Sequence, residues 1–183
     1  MARIRSLRPN VTREEATEQF SSGLMDILHT TMSGPLKSVA DFYVPFQLFQ
    51  VEIINGGKRD LRLFGQDAVN GSLDLYQFEQ LPNGRDVICL ETRNCSQPLL
   101  DEIEAKKIVI AKVQRLLFST GFFRLRDLKI SAEPVAGEIY VPYWVGFRGR
   151  GTRVRFVVMD AVRRKIEGAK VRQLLRAWLT SIR

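Results

Sequence analysis

The sequence predicts an α+β protein made of two related helix-plus-antiparallel-hairpin units packed together, with an extra hairpin and a C-terminal amphipathic helix. Three observations carry this expectation. Tyr43-Val44-Pro45-Phe46 returns as Tyr140-Val141-Pro142-Tyr143, Asp67-Ala68-Val69 returns as Asp160-Ala161-Val162, and both copies follow a helical pattern that ends in glycine. The paired motifs lie 24 residues apart in the first copy and 20 in the second, a difference that hairpin-turn length absorbs. The division expected is residues 1–95, a first unit with the additional hairpin, and 96–183, a second unit with the C-terminal helix.

Thr12-Arg13-Glu14-Glu15 has the form of a capping box, in which a threonine oxygen and a glutamate carboxylate satisfy backbone N–H groups at a helix start. Ala16, Phe20, Leu24, Ile27 and Leu28 then recur at helical spacing as far as Ser33-Gly34-Pro35, a stop signal. The single histidine, His29, sits beside that stripe with no partner in view, so it reads as structural. Phe42–Ile54 and Leu61–Gln66 flank Asn55-Gly56-Gly57, a turn whose glycines accept positive φ, and form a hairpin. Leu73–Glu79 and Val87–Thr92 flank Leu81-Pro82-Asn83-Gly84 and predict the extra hairpin.

Pro98 suits a first helical turn, with Asp101, Glu102 and Glu104 at the positive end of a helix that stops at Gly121. A strand over Leu125–Ser131, a turn at 133–137 and a hairpin of 138–148 with 152–159 around Gly149-Arg150-Gly151 come next. Val44, Phe46 and Leu48 align with Val141, Tyr143 and Val145, and this face is expected to point at the helices, each hairpin lying on its own preceding helix. Val171, Leu174, Leu175, Trp178, Leu179 and Ile182 stripe the last helix opposite Lys170, Arg172 and Arg176.

Strands that run into Asp67-Ala68-Val69-Asn70-Gly71-Ser72-Leu73 after a helix resemble the PepSY unit. The second copy keeps Asp160-Ala161-Val162 but has Arg164 at the glycine position and Ile166 at the apolar one. The resemblance implies a small sheet packed on a helix and a peptidase-modulating or interaction role, in a family found mostly outside the cytoplasm. The residues themselves assign each Asp a plainer task, capping the turn where a strand ends.

The chain has 183 residues, 45% of them hydrophobic, enough for a real core. Its N-terminal residues lack the apolar run of a secretory signal and no segment reaches membrane-span length, so the reading is cytoplasmic with no membrane span. Two cysteines and one histidine are too few for a zinc site. No phosphate loop, dinucleotide fingerprint or nucleophile elbow is present. Catalytic, metal and cofactor residues are therefore none, no small-molecule ligand is inferred, and the chain reads as a non-enzyme.

Charge is polarised. Residues 1–105 hold 10 Lys/Arg against 15 Asp/Glu, and residues 106–183 hold 18 against 5, for a net +8 overall. Such asymmetry points to an anionic partner or to neutralisation by the acidic half. The candidate anion or partner surface is the second hairpin together with the segment just beyond it: Tyr140, Trp144, Arg148, Arg150, Arg153, Arg155, Arg163, Arg164 and Lys165, where guanidinium groups would ring an aromatic patch. The candidate interface helix offers Val171, Leu174, Leu175, Trp178 and Leu179, against the plainer expectation that it docks on its own sheet. Function then reads as a protein-interaction or scaffold module, with a protein partner or homo-oligomer; the alternative is nucleic-acid or other polyanion binding.

Overall fold

Thr12 starts the first helix as its residue type predicts: its hydroxyl accepts from the Glu15 N–H at 3.2 Å, and the Glu15 carboxylate accepts from the Thr12 N–H at 2.8 Å. Helix α1 runs Arg13–Ser21. The computed structural model describes residues 1–22, 34–121, 126–150 and 153–181. Leu24, Ile27, Leu28, His29, Ser33, Leu125, Gly151 and Ile182 therefore lie outside the described residues.

Strand β1 covers Ala2–Leu7, β2 Leu36–Asn55, β3 Lys58–Asp67, β4 Tyr76–Phe78 and β5 Val87–Thr92. Helix α2 spans Glu102–Gly121, followed by β6 Lys129–Arg150, β7 Arg153–Asp160, β8 Lys165–Ile166 and helix α3 Ala169–Ser181. These eight strands form one sheet with the order β4-β3-β2-β6-β1-β5, and β7 pairs with β6 and β8. The first hairpin closes with Asn55 opposite Lys58, and Gly56 and Gly57 adopt the φ values of 55° and 78° that its turn demands. The fold is α+β, and among the described residues no helix is long and apolar enough to cross a membrane.

Three expectations are corrected. The extra hairpin does not form: β4 pairs with β3, and β5 lies at the other end of the strand order. Gly65 favours this pairing, because a Cβ there would crowd the Phe78 ring at 3.0 Å and the Phe46 ring at 3.3 Å, and the glycine leaves room for Tyr76 and Phe78 beside β3. The turn expected at 133–137 does not form: the strand expected up to Ser131 runs on through it as the continuous β6 from Lys129, in which Gly137 takes φ 96°. Helix α2 begins after Pro98, with Asp101 as its cap accepting from the Glu104 N–H at 2.7 Å.

The chain divides into two compact units: unit 1 is Met1–Val44, Ile88–Ser96 and Val141–Arg183, and unit 2 is Pro45–Val87 and Gln97–Tyr140. The long strands β2 and β6 are cut at Pro45 and after Tyr140, within the two repeated Tyr-Val-Pro motifs. In unit 2, Ala105, Val109 and Val113 of α2 pack with Phe49, Val51, Ile53 and Phe64 of the first hairpin and with Ala132. In unit 1, Ala16 and Phe20 of α1 pack with Met159, Trp144 and Val157 of the second hairpin and with Val39. Each hairpin thus lies on the helix of the other half of the chain, not on its own preceding helix. The face used is also the opposite of the one expected: the helices take the Phe49–Val51–Ile53 face, and Phe46 turns the other way to meet Tyr76 edge-on. Every such aliphatic or aromatic side chain withdrawn from water contributes roughly 1.5–3 kcal/mol.

Local connections match across the two halves. Phe46 pairs with Asp67 and Tyr143 with Asp160. The Ala68 N–H donates to the Pro45 carbonyl at 2.9 Å and the Ala161 N–H to the Pro142 carbonyl at 3.0 Å. The Ala68 carbonyl accepts from Leu99 and Leu100, just before α2, while the Ala161 carbonyl accepts from Asn10, just before α1. Both Asp side chains are fully buried and cap their turns: Asp67 accepts from the N–H groups of Val69, Asn70, Gly71 and Leu73, and Asp160 from those of Val162 and Arg163. Gly71 at φ 68° is matched by Arg164 at φ 57°.

Candidate interaction surfaces

The residues of the expected basic surface separate. Tyr140 is 8% exposed and Arg148 4%, so both belong to the interior. The Arg148 guanidinium donates to the carbonyls of Phe20, at the end of α1, and Gly34, just before β2. Its partner across the hairpin is Arg155, and Trp144 stands opposite Met159, so the tryptophan and arginines do share a face as the alternation requires. That face is occupied by α1: Trp144 is half-buried and its indole donates to the Val11 carbonyl at 2.8 Å. An aromatic platform ringed by guanidinium groups does not form there.

Arg155, Arg163, Arg164 and Lys165 are exposed. Arg164 grips the N-terminal approach to α1, donating to the Asn10 carbonyl at 2.6 Å and lying 3.6 Å from a Glu15 carboxylate oxygen. The side chains of Arg150 and Arg153 are outside the described set. By unit the charge is less uneven than by sequence half, but the excess of cations still falls in one unit: unit 1 carries 17 Lys/Arg against 8 Asp/Glu, and unit 2 carries 11 against 12.

Helix α3 docks on unit 1. Val171, Leu174 and Leu175 are buried, Trp178 contacts Phe42 with ring centroids 4.6 Å apart, and the Trp178 indole donates to the Cys95 carbonyl at 3.0 Å. Leu179 is 36% exposed at the end of the stripe. The expected interface residues therefore form an intramolecular seat. Arg176 lies 5.7 Å over the Phe156 ring, which itself meets Phe147 edge-on, so α3 covers the face of the second hairpin that α1 leaves.

Counting from the matched pairs Phe46–Asp67 and Tyr143–Asp160, the positions of Phe147 and Phe156 in unit 1 are those of Gln50 and Leu63 in unit 2. Among the described residues no helix covers the latter pair. Gln50, Leu61, Leu63, Leu81 and Val135, together with Arg62, Glu79 and Gln80, line an open groove of about 230 Å³. Leu61 is 50% and Leu81 52% exposed. Sequence reading missed this groove because its apolar residues come from β3, from the segment after β4 and from β6, and no local periodicity joins them.

Tyr43 stands beside Asp41 on β2. Burial first, then the Asp41 charge and its hydrogen bond, push the Tyr43 phenol well above its ordinary range. Burial also raises the Cys95 thiol, whereas Cys89 is exposed; both are free. Among the described residues no group of His, Cys, Asp and Glu has the arrangement of a metal site. No protein-family model, curated protein or solved structure matches the chain.

Proposed function

We propose that the chain is a non-enzymatic protein-interaction module, built by duplication of one PepSY-like unit whose helices have exchanged hairpins. One observation carries the reading. Leu61 and Leu81, 50% and 52% exposed, gather with Leu63 and Val135 in one open groove of unit 2 although they come from separate segments. Exposed apolar side chains gathered into one groove are a site for a partner. A photo-crosslinking residue at Gln80 tests this in the native cell. The reading predicts crosslinks to a protein partner or to a second copy that disappear on Leu61→Asp; crosslinks that are absent, or indifferent to Leu61→Asp, contradict it.

A second reading, binding of nucleic acid or another polyanion, is favoured by the concentration of cationic residues in unit 1. It has lost its stacking platform, because Tyr140 and Trp144 are engaged inside the fold, and it rests on charge alone. Salt-dependent RNA binding that disappears on Arg155→Glu with Arg163→Glu would favour it over the first.

A further inference from the structure

We infer that unit 2 carries a binding pocket for a guanidinium group, at the place that unit 1 fills with the indole of Trp144. The inference does not rest on the interaction-module reading. The pocket is a recess of about 480 Å³ lined by Gln47, by Glu102 in the first turn of α2 and by residues 134–138 of β6, all of unit 2. That volume suits a small ligand or one long side chain. Trp144 and Met159 face each other in the second hairpin, and the same register of the first hairpin holds Gln47 and Gln66. In unit 1 the indole N–H donates to the carbonyl of Val11, the residue before the Thr12 cap of α1. The residue before the Asp101 cap of α2 is Leu100, and the shorter Gln47 leaves the indole's space beside it unfilled. Counting from Tyr43 and Tyr140, the place of Val39, buried in the α1 cluster, is taken by the exposed Ala136 of the pocket wall.

The polar groups at this place select the occupant. Gln66, opposite Gln47, is fully buried; its amide N–H donates to the Asp67 carbonyl at 3.1 Å, while its Oε1 has no hydrogen-bond partner among the described residues. A buried acceptor left unpaired costs free energy until a donor reaches it. The lining adds the carboxylates of Glu102 and Glu138 and contains neither Lys nor Arg. Asp101, Glu102 and Glu104 also offset the positive end of the α2 dipole, so the recess attracts a cation. Its ligand must be flat enough for the indole's place, must donate N–H groups in several directions and must carry positive charge. A guanidinium meets all three requirements and pairs with carboxylates through parallel hydrogen bonds. An ammonium has the charge without the plane, and a neutral amide or ring has the plane without the charge.

The test titrates the full chain with propylguanidine by isothermal calorimetry, with propylurea as the neutral isostere and butylamine as the ammonium control. Saturable binding of propylguanidine is expected, and both controls should bind about tenfold more weakly or not at all. Glu102→Gln with Glu138→Gln should weaken propylguanidine about tenfold; both side chains are exposed, so the fold survives. Gln47→Trp with Gln66→Met rebuilds the Trp144–Met159 pair in unit 2 and should abolish binding, with thermal unfolding as the check that the variant is folded. The capped tripeptide acetyl-Gly-Arg-Gly-amide separates the sources: if it binds as tightly as propylguanidine, the ligand is an arginine side chain of a peptide, and if propylguanidine alone binds, it is a free small molecule. Absent binding of both guanidinium probes, equal binding of either control, or binding retained in the folded Trp–Met variant overturns the inference. Should that variant fail to fold, the two-glutamate variant decides, and binding unchanged there overturns it equally.

Discussion

The two hairpins share a register and differ in how they fill it. In unit 2, Phe49 of the hairpin and Val109 of α2 occupy one cluster; at the matching positions of unit 1 stand Gly146 and Phe20. The large side chain has moved from sheet to helix. A Cβ on Gly146 would meet the Phe20 ring at 2.7 Å, with Leu36 and Val157 at 3.0 Å, so the glycine is the space that α1 fills. At the preceding position on the same face of β6 and of β2 the inequality reverses, Trp144 in unit 1 against Gln47 in unit 2. Backbone register can thus stay constant while volume is traded across a helix–sheet interface, provided the sum is kept.

The largest expected effect is at that trade. Gly146→Val forces Phe20 out of its place and should lower unfolding stability by about 3 kcal/mol in urea denaturation. Arg148 comes next, since the residue at the same register in unit 2 is the apolar Val51. Arg148→Met leaves the carbonyls of Phe20 and Gly34 without this donor and should cost about 2 kcal/mol. The turns after the two Asp caps give a smaller contrast. Gly71→Ala sets a Cβ at positive φ and 2.7 Å from Ile108, costing about 1.5 kcal/mol, whereas Arg164→Gly relieves a left-handed arginine and loses its bond to Asn10, leaving stability within about 0.5 kcal/mol.

The smallest effect depends on pH. The Tyr43 phenol titrates above its unfolded value near 10, so its folded state favours the protonated form. Its contribution is complete below about pH 10 and is lost as pH rises from there through the folded value. Tyr43→Phe should remove that part of the alkaline slope in stability and leave the neutral-pH value little changed.

Local features of the fold were legible in the sequence. Thr12 and Glu15 announced the helix start, Asn55-Gly56-Gly57 the turn, and the buried Asp67 and Asp160 their capping role, because each depends on neighbours a few residues away. Partner choice was not legible. The stripes of α1 and α2 say that each helix buries one face, and only the Phe20–Gly146 and Val109–Phe49 volumes, matched over long sequence separations, say against which hairpin. The same holds for Arg148, whose alternation marked the right face while its burial depended on the carbonyls of Phe20 and Gly34 arriving from elsewhere. The groove at Leu61 and Leu81 was invisible for a related reason, since its walls come from separate segments and no stripe in any one of them marks a face left open.

A double-mutant cycle tests the helix exchange most directly. Phe20→Val and Gly146→Ala, measured singly and together by urea denaturation, should couple by at least about 0.5 kcal/mol, the double variant losing less than the sum, while Phe20→Val with Phe49→Val should be additive. Additivity in the first pair together with coupling in the second would place α1 on the first hairpin and contradict the account.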